Sequence, residues 1–296
     1  MHVSIVMATK NARRFLQEAL DSIPAAFGTP NAKYEVLVAD ASSSDSTLDI
    51  ARANAAVRIV SHTDSGIYDG MNRAIAAAKG DAILILNSDD TLLPEALGQA
   101  VAALKRNTSA AFVSGTAIFG ESVANARHRQ HRGPLSVEGA MFGVPAINAR
   151  LFRTAVVRTA GELQTGTGLA ADRDWLLRVA AIAGHGLALD RPMYFYRSHS
   201  GSHTLDSSLA GRRRVYAAEH RFASDMIART GPEDRLHALA RSSRAVAAMK
   251  LRTTQPGAED GSDPAFIKAD LKGVGMVDLV RGIKLAARWR GHLAGW

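Results

Sequence analysis

The chain has no cysteine among its 296 residues. That excludes disulfide staples, thiolate zinc sites and a cysteine nucleophile, and it fits a reducing compartment. No apolar run approaches the roughly 18 residues that a membrane-spanning helix needs. The opening VSIVMA is too short for the apolar core of a secretory signal and passes straight into polar TKNARR. The expectation is a cytosolic protein, or one bound to the cytosolic face of a membrane. Internal repeats are absent as well. Nearly half of the residues are apolar and the charged fraction is ordinary, so a folded globular chain is expected.

Residues 1–209 carry almost no net charge, with 20 Lys and Arg against 19 acids. Residues 210–296 hold 16 against 9 and supply most of the formal +8. A basic segment beside a neutral body suits an anionic partner, either a membrane surface or a nucleic acid. The simpler alternative is a solvated helical face.

Short aliphatic runs at Val3–Met7, Tyr34–Val38, Val57–Val60 and Ala82–Leu86 read as strands. Helical spacing fills the intervals at Ala12–Ile23, Ser46–Ala55, Tyr68–Lys79 and Pro94–Arg106. Asp45 is placed to cap the second helix, and Pro94 suits a first helical position. This alternation predicts an α/β fold whose mostly parallel sheet is flanked by helices. Further on, FVSGTAIFG and Pro192–Arg197 read as strands and Ala171–Ala183 as a helix. A helical, Arg- and Ala-rich extension begins at Leu209, with a linker at 255–264, so the expected division is 1–208 and 209–296. The segment from Met276 sets Val277, Val280, Ile283 and Leu285 beside Arg281, Lys284, Arg288 and Arg290, with Trp289 and Trp296 near its end. It reads either as a basic amphipathic helix lying on a membrane or as a helix docked on the protein.

Parallel sheets bind ligands at the carboxyl ends of their strands. Thr9–Asn11, Asp40 and Asn87–Asp90 follow the first, second and fourth strands, so they are expected to line one crevice. AILILNSDDT places Asp89 beside Asp90 at a buried strand end, where two like charges cost free energy unless something opposes them. A hard divalent cation, Mg2+ or Mn2+, would do so. An acidic helix start is the plainer alternative. SDDTLL is not a haloacid-type phosphatase signature, since its acids are adjacent and follow the fourth strand. GTGLAA at 166–171 follows no strand and is a weak dinucleotide match.

Four blocks, in order, resemble a family-2 glycosyltransferase with the GT-A nucleotide-sugar fold, of the bacterial branch that builds capsule, exopolysaccharide or lipopolysaccharide. They are VSIVMATKNARRFLQEALDSI, YEVLVADASSSDST, DSGIYDGMNRAIAAAKGDAILILNSDD and LAADRDWLLRVA, which together span about residues 1–200. The resemblance implies an inverting, metal-dependent transfer of sugar from a nucleoside-diphosphate donor (UDP, GDP or dTDP) to a glycan or lipid-linked acceptor. It implies that Asp40 accepts a hydrogen bond from the nucleobase, with Thr9 and Asn11 beside the base and ribose. Asp90 is implied as the main Mn2+ or Mg2+ ligand, with Asp89 near the ribose or the metal and Ser88 on the nucleotide. Asp172 matches the general base, while Asp174, two residues along the same helix, is read as structural. Asp64, Ser65, Gly66 and Asp69 fall in a block similar to SDxGIYDAMN. There Asn72 or Arg73 approaches the nucleotide, and Tyr68 and Met71 pack. His199 is a candidate third metal ligand or acceptor contact. The implied location is cytoplasmic, with the C-terminal helix as a possible hold on the inner membrane's cytoplasmic face.

Two departures stand out. ATKN at 8–11 replaces PTYN, and Ile147 and Asn148 stand where the branch often has a His-Gln pair. A sugar-nucleotide pyrophosphorylase would want a glycine-rich loop after the first strand, which TKNARR does not supply. A silent nucleotide-sugar-binding scaffold of the same fold would not need Asp40, Asp90 and Asp172 together. Nucleic-acid binding through the basic tail is disfavoured and would show as salt-dependent binding without a sugar requirement.

Overall fold

The computed structural model describes residues 1–61, 65–129, 135–143, 146–166, 168–183, 185–199, 201, 208–254 and 275–290. Asp64, the 255–264 segment and Trp296 lie outside the described residues, as does the side chain of Trp289. The chain forms two compact units. One comprises Met1–Leu135, Pro145–Thr165 and Trp175–Arg197; the other comprises Ser136–Val144, Gly166–Asp174 and Ser198–Trp296. The units do not follow a single cut at 208/209, because two short stretches from earlier in the chain fold with the C-terminal helices. Among the described residues no helix is long and apolar enough to cross a membrane.

The first unit holds a nine-stranded sheet. Strand β1 (Val3–Thr9) is flanked in parallel by β2 (Tyr34–Asp40) and β4 (Ala82–Ile85), and β3 (Val57–Ser61) pairs with β2 in parallel. Val3, Ile5, Val6 and Met7 are all fully buried, as expected for a strand covered on both faces. Helix α1 (Leu16–Phe27) buries Leu16, Ala19, Leu20, Ile23 and Ala26, a stripe at helical spacing. It begins four residues later than its periodicity suggests, because 11–15 form a turn tied to the next crossover. It also runs on through Pro24. Helix α2 (Thr47–Ala53) starts with Asp45 accepting from Thr47 N at 3.0 Å, so Asp45 caps although Ser46 holds the capping position. Helix α3 (Ile67–Ala77) starts after Gly66, whose φ of +96° is open to glycine at low cost.

Beyond β4 the reading of Pro94 as a first helical residue is corrected. Thr91–Leu92 form a short strand, β5, and Glu95 adopts a left-handed conformation before helix α4 (Ala96–Arg106) begins. Strand β6 (Phe112–Gly120) carries the small β7 (Arg127–Arg129) on it. After α5 (Val137–Phe142), strand β8 (Arg150–Arg153) inserts antiparallel between β4 and β6. The sheet is therefore parallel in its first half and mixed in its second. Helices α6 (Thr154–Ala160) and α7 (Ala171–Ile182) follow. Trp175 on α7 is fully buried; it packs edge-on to Phe152 at 5.0 Å and donates from Nε1 to Gly161 O at 2.8 Å. Strand β9 (Gly186–Arg197) is longer than the run Pro192–Arg197. Pro192 sits opposite Thr116, where the β6–β9 register shifts, a place that tolerates the missing N–H.

In the second unit, α8 (Leu209–Arg229) and α9 (Arg235–Thr253) pack together, and α10 (Met276–Arg290) packs on α9. Arg173 explains why two early stretches belong here: its guanidinium donates to Ala140 O and Met141 O and pairs with Glu219 of α8. Gly282 marks a close approach of α10 to α9. A Cβ there would lie 2.3 Å from Ser242 O and 2.7 Å from Val246 Cγ2. Gly282→Ala should therefore lower the melting temperature, since overpacking of about 1–3 kcal/mol outweighs a helix-propensity gain of at most ~1 kcal/mol. A higher melting temperature would show that the helices do not meet at this glycine.

Candidate active site

The parallel register sets Thr9 beside Asp40, at the ends of β1 and β2. Thr9 Oγ1 donates to Asp40 Oδ1 at 2.9 Å, Ser43 Oγ donates to the same oxygen at 2.6 Å, and Ser43 N donates to Oδ2 at 2.9 Å. Asp40 is buried and holds three hydrogen bonds of the roughly four a carboxylate can accept. Asn11, itself left-handed, donates its N–H to Ser43 Oγ at 2.8 Å and accepts from Ser44 N at 2.9 Å. Thr9, Asn11 and Asp40 thus form one hydrogen-bonded rim, with Ser43 as its hub.

At the end of β4 the two adjacent acids are handled differently. Asp90 is fully buried. Its Oδ1 accepts from Arg197 N at 2.7 Å, and its Oδ2 accepts from Tyr194 Oη at 2.6 Å and from Asn87 Nδ2 at 2.9 Å. Burial first, and then the neighbouring charge of Asp89, push its pKa from 3.8 up to about 7, against the pull of those three donors. The Tyr194 hydroxyl is pushed well above its ordinary value by its own burial and by Asp90. Asp89 and Ser88 stand partly exposed on the turn, and Asp89 O accepts from Arg197 Nε at 2.8 Å. Asp90, expected as the main metal ligand, thus lies buried beneath three donors, and its neighbour Asp89 is the more exposed of the two acids.

Arg197 binds this turn from β9. Its guanidinium lies over Phe15 at 4.7 Å and over Phe195 at 5.3 Å, and Nη2 meets Glu18 Oε1 at 2.7 Å, a charge contact off the hydrogen-bond line. Asn148, at one of the departing positions, donates from Nδ2 to Asn87 Oδ1 at 3.1 Å and so joins the cluster. Tyr194 and Arg197 lie in the Pro192–Arg197 run, which reads only as a strand, and Asn148 is marked in the sequence solely as a departure from the His-Gln pair.

Other expected residues are placed elsewhere. Asn72 does not join the rim: it is buried, its Nδ2 donates to Leu163 O and its Oδ1 accepts from Leu163 N, both at 2.8 Å. Expected as a nucleotide contact, Asn72 here ties α3 to the backbone of Leu163. Asp69 accepts from Arg73 Nε at 2.9 Å, one turn along α3. Met71 is buried, as a packing residue should be.

Asp172 and His199 belong to the second unit. Of the consecutive residues Asp172, Arg173 and Asp174, the last two are buried, and Asp174 pairs with Arg229 at 3.4 Å. Asp172 remains partly exposed in the first turn of α7, where Oδ1 accepts from Arg173 N at 2.7 Å. His199 Nδ1 accepts from Gly201 N at 3.1 Å. Among the described residues no group of three or more His, Asp and Glu could cage a cation. Asp89 and Asp90 would be the acids to hold Mg2+ or Mn2+ there, since both ions take hard oxygen ligands.

The α/β sheet thus brings Thr9, Asp40 and the Asn87–Asp90 turn to the carboxyl ends of β1, β2 and β4, the edge at which such sheets bind ligands. The Glycosyl transferase family 2 model matches residues 4–178, and the chain belongs to that family. A PGL/p-HBAD biosynthesis glycosyltransferase of Mycobacterium tuberculosis is 38% identical over 94 residues, which cover 30% of this chain. The match spans only 36% of that relative's own length. A Staphylococcus aureus poly(ribitol-phosphate) β-N-acetylglucosaminyltransferase, TarS, is 23% identical over 164 residues. The crystal structure of its residues 1–349 with UDP-GlcNAc superposes with a TM-score of 0.64 at 17% identity, covering 97% of this chain and 82% of that fragment. The Pyrobaculum calidifontis mannosyltransferase PcManGT, solved with GDP-Man and Mn2+, gives 0.58 at 18% identity, covering 96% and 84%. The structural likeness establishes the GT-A fold.

Proposed function

We propose that this protein is an inverting, metal-dependent glycosyltransferase that moves a sugar from a nucleoside-diphosphate donor to a hydroxyl of a glycan or lipid-linked saccharide. The observation that carries the reading is that Asp40 and the Asn87–Asp90 turn stand at the ends of the two strands flanking β1, inside the family-matched region that also contains Asp172. Asp40, fixed by Thr9 and Ser43, offers its remaining acceptor capacity to an N–H of the base. Asp89 is the carboxylate presented to the metal and diphosphate, while Asp90 holds the turn from within. Asp172 takes the proton of the acceptor hydroxyl as its oxygen bonds to the anomeric carbon and the bond to the diphosphate breaks on the opposite face. A bound divalent ion would supply electrostatic stabilisation of the departing diphosphate. UDP-GlcNAc and GDP-Man, seen with the two structural neighbours, make UDP- and GDP-sugars the first donors to try.

A thermal-shift panel of UDP-, GDP- and dTDP-sugars, with and without Mn2+, tests the reading. One nucleotide should raise the melting temperature only when metal is present, because a ligand that binds the native state alone stabilises it. No shift with any donor, together with no transfer to a glycan acceptor, would overturn it.

A further inference from the structure

Eight large apolar side chains stand exposed among the described residues, and four of them, Met276, Val277, Val280 and Ile283, lie on α10. Isolated exposed apolar residues are ordinary; a cluster on one helix is not. Their exposures are 73%, 79%, 44% and 43%. At 3.6 residues per turn, Ile283, Met276 and Val280 form one stripe, Val277 widens it, and Lys284, Arg288 and Arg281 make a band directly beside it. All three of these cationic residues are exposed.

The opposite side of the same helix is already anchored. Gly282 is buried against Ser242 and Val246 of α9. Arg241 Nε and Nη2 donate to Asp278 Oδ2 at 2.9 and 2.7 Å. Packing on the protein and facing outward are thus both properties of this one helix. Along the stripe, Met276, Val277, Val280, Arg281, Lys284 and Leu285, together with Leu239 and Glu138, line an open groove of about 610 Å³.

We propose that α10 is a docking surface for an anionic lipid bilayer. The stripe would enter the boundary between headgroups and acyl chains, and Arg281, Lys284 and Arg288 would meet the lipid phosphates. An apolar stripe bordered by cations on an otherwise anchored helix matches the chemistry of that interface: apolar just below the headgroups, negative at them. The excess of 16 basic over 9 acidic residues in 210–296 adds attraction of the same sign. The inference is independent of the catalytic reading.

Cosedimentation of the full chain with vesicles tests it. The protein should sediment with an equimolar mixture of phosphatidylglycerol and phosphatidylcholine, not with phosphatidylcholine alone, and salt should release it. Val277→Asp with Val280→Asp should abolish binding. Arg281→Ala and Lys284→Ala should each weaken it roughly fivefold. Both sets change exposed side chains, so thermal melts should match the parent. Failure to bind the anionic vesicles would overturn the proposal, as would binding that survives both sets. So would a concentration-dependent dimer that Val277→Asp dissociates, since a second copy would then cover the stripe.

Discussion

Asp172→Asn should lower sugar transfer by roughly 10²–10⁴-fold, the usual contribution of a positioned general base. Donor binding, read as the metal-dependent thermal shift, should stay as in the parent. The asparagine keeps an oxygen for Arg173 N, so the first turn of α7 retains its local hydrogen bond. What it loses is the ability to take a proton. The neighbours sharpen the test: Arg173 and Asp174 are buried and engaged with Glu219 and Arg229, so their removal is expected to act through folding. Unchanged turnover in Asp172→Asn, with the donor still bound, would remove the base from this residue.

The parallel half of the sheet was legible because its inner strands are largely aliphatic, as in Ala82–Ile85 of β4, a pattern that strands buried on both faces tolerate. The edge strand β3 shows as a short aliphatic run broken only by the exposed Arg58. The strand ends were legible for the same reason: a polar residue after such a run has to sit at an edge of the sheet. Strand β8 was not, because RLFR is four residues long and gains its place by pairing antiparallel between β4 and β6. Nor was α5, six residues long, in which Ala140 offers its carbonyl to an arginine 33 positions away. The carboxylate pair shows the limit most clearly. Sequence places Asp89 and Asp90 side by side and poses the question of what opposes their repulsion. The answer lies about a hundred residues away, in the Tyr194 hydroxyl and the Arg197 amide. Adjacent residues on a turn face different surroundings, so resemblance to a motif identifies the pair without deciding which member faces the ligand.

That division gives the second large effect. Asp89→Ala should abolish the metal-dependent donor shift and leave the metal-free protein as stable as the parent, or slightly more so, because it removes the charge that raises Asp90. Asp90→Ala should instead destabilise the metal-free protein by about 3 kcal/mol or more, since Tyr194 Oη, Arg197 N and Asn87 Nδ2 lose their acceptor in a buried place. The pH dependence separates the roles further. Asp90 titrates near 7 in the folded chain against 3.8 ordinarily, so the folded state holds its proton more tightly. The stability this contributes is complete below pH 3.8 and is lost as pH rises to about 7, a change on the order of 4 kcal/mol. Metal-free parent protein should therefore lose melting temperature between pH 5 and 8 relative to Asp90→Asn, which cannot ionise there. Parallel melting curves for the two proteins across that range would show that Asp90 is ionised throughout. If Asp90→Ala kept its metal-free stability and lost only the donor shift, Asp90 would be the metal ligand after all. A carboxylate that holds the turn closed and one that meets the diphosphate fail in different assays, and the two substitutions together tell them apart.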